Sequence, residues 1–133
     1  MTISETPIAL VVDDNDANRL VLELMLQAAG LRTIGAASGA DALARLHEQG
    51  FDLVVTDLRM PGIDGLGLLA AIRAMPETRH LPVVATSAAL VSSRTDVFLE
   101  QGFTAFLAKP MLVADVQACV EALGLARPWA VAA

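Results

Sequence analysis

The chain has 133 residues, 55% hydrophobic and 18% charged, and a formal net charge of −6. That length fits one domain with a core that needs no staples, and that composition excludes a disordered chain. The acidic balance, the absence of a Lys/Arg cluster and the sparse aromatics argue against nonspecific binding to nucleic acid or an anionic membrane.

Short apolar runs alternate with longer segments of helical period. Ile8-Ala9-Leu10-Val11-Val12 is a continuous β-rich run, the pattern of a strand covered on both faces. A helix is expected next, with Ala17, Leu20, Val21, Leu24 and Ala28 on its core stripe, Arg19, Glu23 and Gln27 opposite, and Gly30 at its end. Arg32 to Ala36 is a mixed strand whose Gly35 suits a sheet edge. A helix with Leu43 and Leu46 runs to Gly50, and Leu53-Val54-Val55-Thr56 is a second buried strand. The turn Met60-Pro61-Gly62 leads into a helix carrying Leu66, Leu69 and Ala70. Leu81 to Thr86 is the next strand, Val91 to Gln101 a less regular helix ended by Gly102, 104–108 the last strand, and Leu112 to Leu123 the last helix. Strict alternation of strand and helix predicts an α/β fold, a doubly wound five-stranded parallel sheet with helices on both faces.

The domain is expected over residues 1–124, with 125–133 as a short tail that carries Trp129 and no output domain. The lone Cys119 excludes an internal disulfide and lies among Val116, Val120 and Leu123 at helical spacing, as a buried thiol would. The N-terminus lacks the basic start and apolar stretch of a signal peptide, and no uncharged apolar run approaches the ~18 residues of a membrane span. These features place the expectation in the cytoplasm.

Ligands of open parallel α/β sheets bind beyond the carboxyl ends of the strands. There the first strand ends in Asp13-Asp14, the third in Asp57, the fourth in Ser87 and the fifth in Lys109. Each alone has a plain structural explanation as a cap or turn residue; together they converge on one edge. Lys109 is also the only lysine, the other eight bases being arginines, which suggests a site that needs a point charge and not a planar fork. Each pair of carboxylates packed at ~4 Å costs ~4 kcal/mol at an effective dielectric near 20, so the cluster calls for a cation. The donors are hard oxygens without Cys or His, the chemistry of Mg²⁺. Three carboxylates and one lysine sum to −2, which a divalent ion neutralises. With that ion, a phosphoryl group of about −2 replacing the Asp57 charge leaves the site near −1.

Val11-Val12-Asp13-Asp14, then Asp57 followed by Met60-Pro61-Gly62-Ile63-Asp64-Gly65, then Ser87-Ala88 and Lys109-Pro110, resemble in order and spacing a two-component response-regulator receiver domain. The similarity covers residues 7–124 and implies the flavodoxin-like sheet order 2-1-3-4-5. It also implies a phosphoaccepting switch, not an enzyme in the ordinary sense, that promotes its own phosphorylation and dephosphorylation. By position, Asp57 would accept a phosphoryl group from a histidine kinase or histidine phosphotransferase. Asp14 would bind Mg²⁺ directly, Asp13 largely through water, and the Arg59 backbone carbonyl would be a further ligand. Ser87 and Lys109 would each meet a phosphoryl oxygen, and the Lys109-Pro110 peptide would be cis, aiming the ammonium inward. Thr86 is the rival hydroxyl, which strand alternation turns away if Ser87 faces the site.

Phe106 occupies the aromatic switch position of the family. Phosphoryl oxygens would draw Ser87 inward, Phe106 would turn in, and the surface of the fourth helix, fifth strand and fifth helix would change to alter binding of a downstream protein target. A phosphorylation-dependent dimer is compatible with this scheme. Arg59 and Ala89 fill positions that tune dephosphorylation, and the Arg59 side chain is expected to pair with the phosphoryl group. A haloacid-dehalogenase-like phosphatase resembles Asp-x-Asp at its nucleophile, whereas Asp57-Leu58-Arg59 has Arg there. A flavin mononucleotide binder would need a phosphate loop after the first strand, where Asp13-Asp14-Asn15-Asp16 would repel it. A degenerate receiver serving only for interaction is the remaining alternative. His47 and His80 are expected in solvent, without a phosphodonor role.

Overall fold

The computed structural model describes residues 6–88 and 102–125. The strands are β1 (Ile8–Val12), β2 (Arg32–Ala36), β3 (Leu53–Asp57), β4 (Val83–Ala88) and β5 (Ala105–Lys109). They form one sheet in the order β2-β1-β3-β4-β5, with parallel pairing throughout. The helices are α1 (Asp16–Ala28), α2 (Gly39–Glu48), α3 (Gly65–Ala74) and α4 (Val113–Ala122). The helix expected over Val91 to Gln101, with Ala89, and the tail with Trp129 lie outside the described residues.

Alternation along the central strands splits the core into two layers, because successive side chains of a strand point to opposite faces. Leu10, Val12, Val54, Val83 and Ala85 pack with Ala42 of α2 and Leu68, Leu69 and Ile72 of α3. Ala9, Val11, Leu53, Val55 and Val84 pack with Leu22 and Leu26 of α1 and Val116 and Val120 of α4. Cys119 joins this second layer half-buried, and burial raises its thiol pKa, in keeping with an inert role. β2 lies at the edge, where Gly35 was expected. β4 starts two residues later than its apolar run. Pro82 has no N–H to give the ladder and contributes only its carbonyl, which accepts from Val54 N–H at 2.9 Å.

One face assignment is reversed. The α1 stripe expected in the core, Ala17, Leu20, Val21, Leu24 and Ala28, faces solvent, and Leu22 and Leu26 are buried in its place with Met25 packed beside them. The helix carries two apolar stripes at helical spacing, so periodicity alone does not choose between them. The polar side chains beside Leu22 and Leu26 bond to the sheet on the side where these leucines are buried. Thr33 Oγ1 of β2 donates to Glu23 Oε1 at 2.9 Å and accepts from Gln27 Nε2 at 2.8 Å.

Arg73 of α3 reaches across the lower end of the fold. It donates to the carbonyls of Leu81 at 2.6 Å, Arg79 at 3.2 Å and Gly102 at 2.9 Å. One guanidinium thus joins α3, the approach to β4 and the turn before β5. Its burial lowers the Arg73 pKa from the usual arginine value. Gly102 has φ +113°, a backbone conformation only glycine adopts without strain.

Candidate functional site

The sheet edge at the C-terminal ends of β1, β3, β4 and β5 gathers the polar residues expected there. Asp13 follows β1; its N–H donates to Ala36 O at 3.1 Å and its Oδ1 accepts from Asn15 N–H at 2.9 Å. Asp57 ends β3 beside Thr86 of β4. Behind Asp57 the chain is packed to its limit, since a Cβ on Gly65 would lie 2.6 Å from Asp57 O and 2.9 Å from Leu58 Cα. Glycine therefore lets α3 start directly against the backbone that carries Asp57. Asp64 caps that helix by accepting from Gly67 N–H at 2.8 Å.

Lys109 ends β5, and its peptide bond with Pro110 is cis. Its Nζ lies 3.4 Å from Asp13 Oδ2 and 3.4 Å from Asp57 Oδ2. One carboxylate oxygen each from Asp13, Asp14 and Asp57 lie within 4.8 Å of one another. Burial raises the Asp57 carboxyl above the ordinary 3.8; Lys109 opposes this by charge and hydrogen bond, Asp13 adds to it by repulsion, and the Arg59 N–H lowers it slightly. The upward push prevails. Three carboxylates with one shared ammonium leave the uncompensated charge of −2 that the sequence predicts, and oxygen donors at this spacing fit a hard divalent cation such as Mg²⁺. What this edge can do chemically is expose a crowded carboxylate, Asp57, next to a point cation and a cation-binding pair.

Ser87 and Thr86 are both buried near the end of β4. Val83 and Ala85 belong to the α2/α3 layer and Val84 to the α1/α4 layer, so alternation assigns Ser87 to the first and Thr86 to the second. Phe106 pairs with Ala85 in register and packs against the same α2/α3 layer, on the face assigned to Ser87. Arg59 is exposed in the loop after β3, beside Met60, Pro61 and Asp64. Asn15, not Asp14, caps α1, accepting from Asn18 N–H at 2.8 Å. His47 and His80 are exposed, as expected.

Two features beside the site escape a reading of spacing. A groove of about 340 Å³ adjoins Asp13 and Lys109 and is walled by Val21, Leu22, Met25, Pro110 and Met111. It continues into the exposed α1 stripe, where Leu20 is 57% and Leu24 55% accessible. Arg19, placed by periodicity on a solvated face, instead turns inward and donates to Asp13 O at 2.8 Å. The only sequence signal for it was a basic residue one turn after an acidic run.

Comparison with known proteins agrees with this geometry. The family model for the response regulator receiver domain matches residues 9–121. The sensory/regulatory protein RpfC of Xanthomonas campestris is 38% identical over 109 residues, which are 80% of this chain and 15% of RpfC. This chain thus spans a small part of that relative. The polar-differentiation response regulator DivK of Brucella ovis is 30% identical over 108 residues, 81% of this chain and 88% of DivK. Among solved structures, the receiver domain of sensor histidine kinase PA1611 from Pseudomonas aeruginosa, with magnesium coordinated in its active site cleft, superposes with TM-score 0.80 at 30% identity. That match covers 90% of this chain and 99% of the other. The chain belongs to the response regulator receiver domain family. It is a signalling switch module of two-component systems, with the flavodoxin-like fold of that family. No described helix is long and apolar enough to cross a membrane.

Proposed function

We propose that Asp57 is the phosphoacceptor of a Mg²⁺-dependent switch loaded by a histidine kinase or histidine phosphotransferase. The observation that carries this is Lys109 Nζ at 3.4 Å from both Asp13 and Asp57, inside a cluster of three carboxylates. An Asp57 carboxylate oxygen attacks the phosphorus of the donor's phosphohistidine. The P–O bond forms as the P–N bond breaks, and the imidazole leaves with the electron pair and takes up a proton. Lys109 exchanges its contact with Asp57 Oδ2 for one with a phosphoryl oxygen, and the Ser87 hydroxyl donates to another. Asp13, Asp14, Asp57 and the Arg59 carbonyl would hold Mg²⁺, which would supply the positive charge that lets an anionic donor approach an anionic site. Water attack on the acyl phosphate, promoted by the same groups, resets the switch.

Loading shifts Ser87 and Phe106, and with them the outer surface of β5 and α4, towards a conformation that a downstream protein recognises. The acidic chain with its lone, half-buried cysteine is at home in the cytoplasm. The donor is a protein and has to seat beside Asp57. The surface offered there is the apolar face of α1 with the adjoining groove, a larger apolar exposure than scattered single residues. Val21→Asp with Leu24→Lys should slow transfer from a phosphorylated protein donor at least tenfold while leaving uptake from acetyl phosphate unchanged. Equal slowing of both reactions would point to a folding defect and sink the docking assignment.

The test of the acceptor is intact mass at neutral pH after incubation with acetyl phosphate, with Mg²⁺ or with EDTA. One phosphoryl group is expected with Mg²⁺, none with EDTA, and none in Asp57→Asn under either condition. Uptake that persists in Asp57→Asn would remove Asp57 from its role. No uptake from acetyl phosphate or from a phosphorylated phosphotransferase would leave a receiver that serves by contact alone.

A further inference from the structure

Asp13 is held on every side, whereas Asp14 is exposed and is placed by its backbone. The Asp13 side chain is met by Asn15 N–H and Lys109, its N–H by Ala36 O, and its carbonyl by Arg19 Nη1 at 2.8 Å. That carbonyl belongs to the peptide plane joining Asp13 to Asp14, so whatever fixes it fixes the direction in which Asp14 leaves the chain. The second arm of the same guanidinium, Nη2, lies 2.8 Å from Asp16 Oδ1. Asp16 is the third carboxylate of Asp13-Asp14-Asn15-Asp16, yet it is absent from the cluster that Asp13 and Asp14 make with Asp57.

We propose that Arg19 is the positioning residue of this acidic site: it fixes the Asp13–Asp14 peptide for cation binding and holds Asp16 away as a competing ligand. The inference rests on the cation reading above. Only a fork does both tasks at once, because two parallel sets of N–H donors leave one planar group. The floor under Arg19 is cleared for it by Gly35. A Cβ at residue 35 would lie 3.1 Å from Arg19 Cδ, 3.2 Å from its Nε and 2.6 Å from Glu23 Oε2. The glycine that looks like a weakness in an edge strand is therefore the passage through which α1 reaches the end of β1.

The experiment is a MgCl2 titration at constant ionic strength, followed by the backbone amide resonances of residues 13–16 and 57–59. Removing a group that orients a ligand costs about 10–100-fold in metal affinity. Arg19→Gln should need about tenfold more Mg²⁺ for half-saturation than the unaltered chain. Arg19→Lys, whose point charge serves one acceptor at a time, should fall between them, and Gly35→Ala should weaken binding in the same direction. Thr33→Val cuts the Gln27–Thr33–Glu23 chain across the same helix–strand seam without touching Asp13, and should lower the melting temperature but keep the affinity. Affinity unchanged in Arg19→Gln and Arg19→Lys would overturn the proposal, as would equal weakening in Thr33→Val. Should Arg19→Gln fail to fold, Arg19→Lys and Gly35→Ala decide by the same criterion. Absence of any Mg²⁺-dependent shift in the unaltered chain would overturn the cation reading itself, an outcome distinct from both.

Discussion

Lys109→Ala is expected to slow phosphoryl uptake from acetyl phosphate by about a hundredfold, the scale lost when one preorganised charge is removed from a reacting centre. Among the described residues, the ammonium at 3.4 Å from Asp57 Oδ2 and from Asp13 Oδ2 is the one positive side chain between these carboxylates. Arginine is no substitute, because a fork spreads the charge that a phosphoryl oxygen should meet at one point. The variant has a second signature in pH. The reacting form of Asp57 is the carboxylate, and its folded pKa already lies above the ordinary 3.8. That shift describes the metal-free site, and bound Mg²⁺ would oppose it, so uptake should fail on the acid side where Asp57 protonates in the metal-loaded protein. Without Lys109, the stronger of the effects that lower it, the acid limb should move to higher pH. A pH–rate profile of both proteins checks this; an unmoved limb would mean that Lys109 does not act on Asp57. Stability follows with its own sign. A carboxyl with a raised folded pKa binds its proton more tightly in the native state, so native stability falls as pH rises from 3.8 through the folded value. Ionised Asp57 thus costs stability at neutral pH in the metal-free protein.

Arg73→Ala is expected to lower unfolding stability by about 2 kcal/mol, the range for a charged hydrogen-bonding group whose loss leaves half-buried acceptors unmatched. The carbonyls of Leu81 and Gly102 meet this guanidinium at 2.6 and 2.9 Å. Arg73→Lys should resemble the alanine variant more than the parent, since an ammonium cannot serve acceptors on two separated segments at once. Urea unfolding provides the measure: a lower midpoint with an unchanged slope is the expected result. A change below about 0.5 kcal/mol would show the clamp to be incidental. Because Arg73 lies at the opposite end of the sheet from Asp57, the surviving folded protein should still accept a phosphoryl group.

The alternation of five apolar runs with amphipathic segments was enough to establish the parallel α/β class. A buried parallel strand has to be apolar on both faces, and its crossovers have to be helices. The same logic exposed Asp13, Asp14, Asp57, Ser87 and Lys109, because strand ends of such a sheet meet on one edge whatever the intervening loops do. Local sequence also contained the caps, with Asp64 three residues before Gly67 and Ser38 three before Asp41, since capping depends on neighbours alone. Contacts between segments were a different matter. The choice between the two apolar stripes of α1 belonged to tertiary structure, as did the inward turn of Arg19, the clearance at Gly35 and the grip of Arg73 on Leu81 and Gly102. Each depends on which side chains a distant strand or turn presents, and helical periodicity records only that a face is apolar or polar, not what lies opposite it.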